Sequence, residues 1–153
     1  MDGHSFIVEV FDVFSNTEEP HDLLSNTYLQ QSDAFLICVN GEQDLEHAER
    51  QLKEIEQLCV FRPLPVIIVS TKSDVHGDAV EDAKCCAVRL AHEHKCEWMT
   101  CSAATGERVQ EVFERSIRMG MFRRLYCMIK TQLQSHDDKQ RSTNTYRLII
   151  SVM

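Results

Sequence analysis

Apolar residues in this chain fall into two alternating rhythms. Short, almost wholly apolar runs occur at Ser5-Phe6-Ile7-Val8-Glu9-Val10-Phe11, Ala34-Phe35-Leu36-Ile37-Cys38-Val39-Asn40 and Pro65-Val66-Ile67-Ile68-Val69-Ser70, with a shorter one at Cys96-Glu97-Trp98-Met99. Runs of this length, rich in β-branched and aromatic residues and closed by polar turns, read as buried strands. Between them the spacing changes to three and four. Leu45, Ala48, Leu52, Ile55 and Leu58 mark a helix over 42–58, with Glu49 and Lys53 as an i,i+4 pair. Val80, Ala83, Ala87, Leu90 and Ala91 mark another over 79–92, and Val109, Val112, Phe113 and Ile117 a third that continues to about Leu133. A short helix is predicted around Asp22–Gln31 after the loop at Pro20, and Asp2-Gly3 reads as a turn before the first strand. Arg62-Pro63-Leu64-Pro65 breaks the chain before the third strand. Strands alternating with helices predict an α/β fold, a mostly parallel sheet flanked by helices, with strands near 5–11, 34–40, 65–71 and 96–101.

The division predicted is a domain over 1–120, then a C-terminal helix extension and a basic, partly flexible tail over 121–153. Gln134–Thr145 is polar. The terminal Leu148-Ile149-Ile150-Ser151-Val152 is apolar and β-prone. It has no predicted role, and left exposed it would be an aggregation hazard.

Charge sharpens that division. Residues 1–114 hold 8 Lys/Arg against 22 Asp/Glu, net −14, whereas residues 115–153 hold 8 against 2, net +6. The acidic body disfavours nucleic acid as a partner, and the basic end suits an anionic lipid surface or an acidic protein. Seven Cys, an odd number with no secretory leader pattern, point to reduced thiols and a cytoplasmic location. The final Ile150-Ser151-Val152-Met153 lacks the Cys that prenylation requires, so no prenyl membrane anchor is expected.

The chemistry gathers in two loops. Thr71-Lys72-Ser73-Asp74 directly follows the third apolar run, and ligands in open α/β sheets bind beyond the carboxyl ends of strands. An ionised Asp74 is acceptor-only and can receive two N–H donors, while the Lys72 stem can pack on an apolar surface. Thr100-Cys101-Ser102-Ala103-Ala104-Thr105 follows the fourth run and precedes a helix, where free backbone N–H groups face a ligand. In this order and separated by one helix, the two loops resemble the two guanine-binding loops of the Ras superfamily of small GTPases. The resemblance extends from about Asp2 to Met119. The Cys101-Ser102-Ala103-Ala104-Thr105-Gly106 run leans toward the Ras-like branch that includes the Ras-like estrogen-regulated growth inhibitor. It implies a P-loop NTPase-like fold, GTP or GDP as ligand, Mg²⁺ as its metal, and protein effectors or regulators as partners. It assigns Thr71, Lys72, Asp74, Ser102, Ala103 and Ala104 to guanine, and Asp12 to Mg²⁺ through water.

Against that pattern the phosphate half is missing. No Gly among the five is followed by Lys, so the 153 residues contain no G-x-x-x-x-G-K-[ST] loop. Aligned on the family, the chain begins in the hairpin before the third strand and lacks the first strand, which the family places between the first two strands kept here. Residues 5–11 and 34–40 are therefore predicted either to pair directly or to leave a gap. Asp12-Val13-Phe14-Ser15-Asn16 stands where the family has Asp-x-x-Gly-Gln. Ser15 restricts backbone approach to a γ-phosphate, and Asn16 is one methylene too short to orient the attacking water. The expectation is a small GTPase-like, GTP-binding protein of Ras-type signalling without hydrolysis. The alternatives are a pseudo-GTPase interaction module, or a truncated isoform or gene fragment. His92, His94, Cys85 and Cys86 invite a zinc reading, but two His two residues apart on a helix suit the helix end better. Cys101 has no base beside it in sequence to make it a nucleophile.

Overall fold

The structure, a computed structural model, describes residues 7–14, 31–58, 65–134 and 145–152. Five strands form one sheet: β1 (Ile7–Phe14), β2 (Ala34–Val39), β3 (Val66–Ser70), β4 (Glu97–Thr100) and β5 (Thr145–Val152). The helices are α1 (Leu45–Leu58, entered through a 3₁₀ turn at Glu42–Asp44), α2 (Asp78–Glu93) and α3 (Val109–Gln134). All four strand pairings are parallel, in the order β1-β5-β2-β3-β4. The α/β prediction and its four strands hold. The helix predicted at 22–31 lies outside the described residues except for Gln31, which is helical. Ser15, Asn16 and most of the polar stretch 134–145 also lie outside them.

The period-two alternation of the strands divides the core. Phe35, Ile37 and Val39 of β2 and Val66 and Ile68 of β3 face α1 and α2, meeting Ala48, Leu52, Ile55, Ala87, Leu90 and Ala91. Ala34 and Leu36 of β2 and Ile67 and Val69 of β3 face the other way, onto Val112 and Met119 of α3. Both faces are covered, which is why these runs are apolar throughout rather than alternating with polar residues.

The prediction that the first two strands would pair directly or leave a gap is corrected. β5 lies between them. It pairs over its whole length with β1, Ile7 opposite Thr145 through Phe14 opposite Val152. On its other side Ala34 to Ile37 of β2 stand opposite Leu148 to Ser151. The terminal run without a predicted role is thus a central strand with both ladders satisfied. Its pattern explains the fit: Leu148 is buried in the α3-facing core, and Ile150 packs against the same cluster.

A polar clamp fixes the amino end of β5. Asp33, 7% exposed, accepts hydrogen bonds from Arg124 Nε (2.7 Å) and a second Arg124 guanidinium nitrogen (2.6 Å), and from the Arg147 backbone N–H (2.9 Å). The Asp33 N–H donates in return to the Arg147 carbonyl at 2.8 Å. The Arg147 side chain reaches Glu9 of β1 (2.8 Å) and Gln31 (2.6 Å), and the Arg124 guanidinium lies 4.5 Å from the Tyr146 ring centre. Gly120 lets α3 come this close, because a Cβ there would stand 3.0 Å from Asp33 Cβ.

Candidate functional site

β3 and β4 are neighbours with Ser70 opposite Thr100, so their loops leave the carboxyl edge of the sheet side by side. Backbone bonds stitch the loops together: Cys101 N–H donates to the Ser70 carbonyl (3.1 Å), and Ser73 N–H to the Cys101 carbonyl (3.1 Å). Thr71 ties the first loop to β2, donating from both its N–H (2.9 Å) and its hydroxyl (3.2 Å) to the Val39 carbonyl. Lys72 takes a left-handed conformation, φ 55°, and the turn closes with Val75 N–H on the Lys72 carbonyl at 3.0 Å. A left-handed non-glycine residue costs roughly 1–2 kcal/mol, so the surrounding bonds impose the turn. They leave Lys72 and Asp74 exposed on the same loop.

Ser102 is the pivot of the second loop. It is fully buried; its N–H donates to the Glu107 carbonyl (3.0 Å), and its Oγ accepts from Thr105 N–H (3.2 Å). A hydrogen bond from Ser102, then one from its own backbone, holds the Asp74 carboxyl below the usual carboxylate range. Gly106, φ 77°, turns the chain toward α3 where a side chain would be strained. Ala103 and Ala104 sit exposed on the turn.

Asp12 lies on exposed β1 rather than in either loop. It contributes, after burial and Cys101, to raising the Cys38 thiol to about 12. Among the described residues no group of three or more His, Cys, Asp or Glu side chains is placed to hold a metal. His94 pairs instead with Glu56, Nδ1 to carboxylate at 3.2 Å.

A sequence model of the Ras family matches residues 1–121. The chain belongs to the Ras family. It is a small GTPase-like protein, and its relatives come from more than one branch. It is 26% identical over 142 residues to the human Rho-related GTP-binding protein RhoB, which covers 81% of this chain and 69% of that protein. It is 36% identical over 116 residues to the mouse Ras-related protein Rab-36, 74% of this chain and 43% of that one. To the GTP-binding protein RHO5 of Saccharomyces cerevisiae it is 28% identical over 129 residues, 69% and 39% respectively. The chain therefore spans less than half the length of the last two.

For a Ras-family chain, the meeting of the loops at one edge is the arrangement the sequence predicts. The structure adds Glu107, which sequence reasoning missed. Its carbonyl holds Ser102, and its carboxylate accepts from Ser73 Oγ at 3.4 Å, bridging the two loops. Arg108, left-handed at φ 56°, donates to the Thr100 hydroxyl at 3.1 Å and partly counters the burial that raises the Cys101 thiol.

Proposed function

We propose that this chain keeps the guanine-recognition half of a Ras-family site and does not hydrolyse GTP. Asp74 would accept the base N–H donors, Lys72 would pack its stem on the ring, Thr71 would brace the loop, and Ser102, Ala103 and Ala104 would present backbone donors. The observation that carries this reading is the stitching of the two loops at one sheet edge, where Ser73 N–H donates to the Cys101 carbonyl and Ser73 Oγ to the Glu107 carboxylate. There the exposed Asp74 carboxyl is held below its usual range by a hydrogen bond from Ser102. Asp12 would reach Mg²⁺ through water, as the family pattern implies. With no phosphate-cradling loop in these 153 residues, phosphoryl transfer lacks the positioning and charge neutralisation on which it depends.

Hydrogen bonds to a charged group contribute about 1.5–3 kcal/mol each, and association costs at least about 4 kcal/mol in lost freedom. The balance leaves guanine-nucleotide affinity on the order of millimolar or weaker. Calorimetry or ligand-observed NMR with GDP, guanosine and ADP tests it. Guanosine and GDP should bind alike and better than ADP, and Asp74→Asn should abolish the preference. Micromolar GDP binding that Asp74→Asn leaves unchanged would place the site elsewhere. A phosphate-release assay should show no turnover, and turnover lost in Asp74→Ala would refute the second half of the proposal.

The second reading, a pseudo-GTPase that serves Ras-type signalling through protein contacts in the cytoplasm, is favoured by Ser15 and Asn16 in place of Gly-Gln. The two readings are compatible.

A further inference from the structure

The second half of α3 presents a surface unlike the rest of the molecule. The helix starts beside the carboxyl end of β4, where Arg108 meets Thr100, and reaches Asp33, at the amino edge of β2, by Arg124. Residues 125–134 carry it about 15 Å farther at 1.5 Å per residue. On this stretch and the turn before it stand Phe122 (66% exposed), Leu125 (55%), Tyr126 (43%), Met128 (54%) and Ile129 (48%). Phe122, Leu125, Tyr126 and Ile129 follow the i, i+3, i+4, i+7 spacing of one helix face. At about 100° per residue, that face is turned roughly a third of a revolution from the one buried through Val112, Ser116, Met119 and Gly120. A single 26-residue helix thus carries two apolar stripes, one for the core and one facing outward.

Charge selects what covers the outer stripe. Residues 115–134 contain Arg115, Arg118, Arg123, Arg124 and Lys130 and no Asp or Glu. Arg115 and Arg124 are taken up by Glu97 and Asp33, while the exposed Lys130 lies 5.0 Å over the Tyr126 ring. A second copy of the same helix would bring like charges together. An apolar stripe with aromatic residues and basic flanks is the composition of helices that lie in the headgroup layer of an anionic bilayer. No described helix is long and apolar enough to cross a membrane, so the contact would be peripheral. The acidic body favours contact through this end alone, and the loops at Thr71–Asp74 and Ser102–Ala104, at the opposite edge of the sheet, stay open to solution.

We propose that the outward stripe Phe122-Leu125-Tyr126-Ile129, with Lys130, is a docking surface for anionic lipid bilayers. It is independent of guanine binding and uses other residues. The test is co-sedimentation of the full chain with vesicles of phosphatidylcholine containing phosphatidylserine, and with phosphatidylcholine alone. The chain sediments with the first and not the second, and the bound fraction falls as salt is raised. Leu125→Glu/Ile129→Glu lowers partitioning roughly tenfold or more, since each loses an apolar contact and adds a negative charge. Lys130→Glu lowers it at least about fivefold, and because Lys130 is exposed it decides the matter should the double variant fail to fold. Equal sedimentation with both vesicle types, or with neither, overturns the proposal. So does a concentration-dependent dimer in light scattering that the double variant abolishes while vesicle binding is absent, because the stripe would then be covered by a second copy.

Discussion

Asp33→Ala tests whether the polar clamp holds β5 in the centre of the sheet. The substitution removes the acceptor for two guanidinium bonds and one backbone N–H, at 2.6 to 2.9 Å. Removing one partner of a buried ion pair costs roughly 3–5 kcal/mol. Arg124 keeps a 29% exposed side chain and its Tyr146 ring contact, which eases its unpaired charge. The expected loss of folding stability is therefore about 2–4 kcal/mol, a large part of the roughly 5–15 kcal/mol that holds a typical domain. Urea denaturation followed by circular dichroism measures it. Asp33→Ala/Arg124→Ala should cost less than the sum of the single variants, with a coupling of about 1–3 kcal/mol. Lys53→Ala, which breaks the exposed Glu49 pair, serves as control and should change stability by less than about 1 kcal/mol. A loss under about 1 kcal/mol for Asp33→Ala, or strict additivity with Arg124→Ala, would mean that apolar pairing alone holds the strand.

Ile150 of β5 stands opposite Asp12 on one side and Leu36 on the other, so Ile150→Pro removes a ladder bond in a central strand and should cost about 3 kcal/mol or more in the same titration. Ser102→Ala should move the Asp74 titration up toward the ordinary carboxylate value, read by carboxyl-carbon NMR. The sign follows from a depressed folded pKa. The Asp74–Ser102 contribution is present above the unfolded carboxylate value and lost as pH falls through the folded one, so wild type and variant should converge in stability on acidification. In native alkylation near pH 8, exposed Cys85 and Cys127 should react first. Cys38 and Cys96, whose thiols burial pushes up to about 12, should react only on unfolding; early labelling of either would refute that assignment.

Much of this fold is legible from period alone. Buried parallel strands must be apolar on both faces, so β2 and β3 declared themselves, and α1 and α2 followed from spacings of three and four. β5 was legible as a strand but not as a position in a sheet. Its neighbours β1 and β2 lie more than 100 residues earlier, and nothing local records which slot a β-prone segment will enter. The clamp was hidden for the same reason. Asp33, Arg124 and Arg147 read one by one as surface charges, and only their convergence shows that the basic end of the chain neutralises a buried carboxylate. At the candidate site, Asp74 and Ser102 stood out because their loops carry a recognisable pattern. Glu107 did not, because it acts through a carbonyl and a long hydrogen bond that no residue type announces.

The place of β5 between β1 and β2 follows from how a parallel sheet specifies its interior. A slot between two strands asks for extended backbone with free N–H and C=O groups on both edges and for apolar side chains on the buried positions. It asks for no particular sequence. Tyr146–Val152 meets those demands with Leu148 and Ile150 on the α3 face, and Arg147 supplies what pattern alone leaves open, the register, by engaging Asp33, Glu9 and Gln31 at once. Slipping β5 by one residue would turn Leu148 away from α3 and pull Arg147 from its three partners. The carboxyl edge then remains ordered where β3 and β4 deliver their loops, and the geometry around Asp74 rests on a sheet whose central strand comes from the far end of the chain.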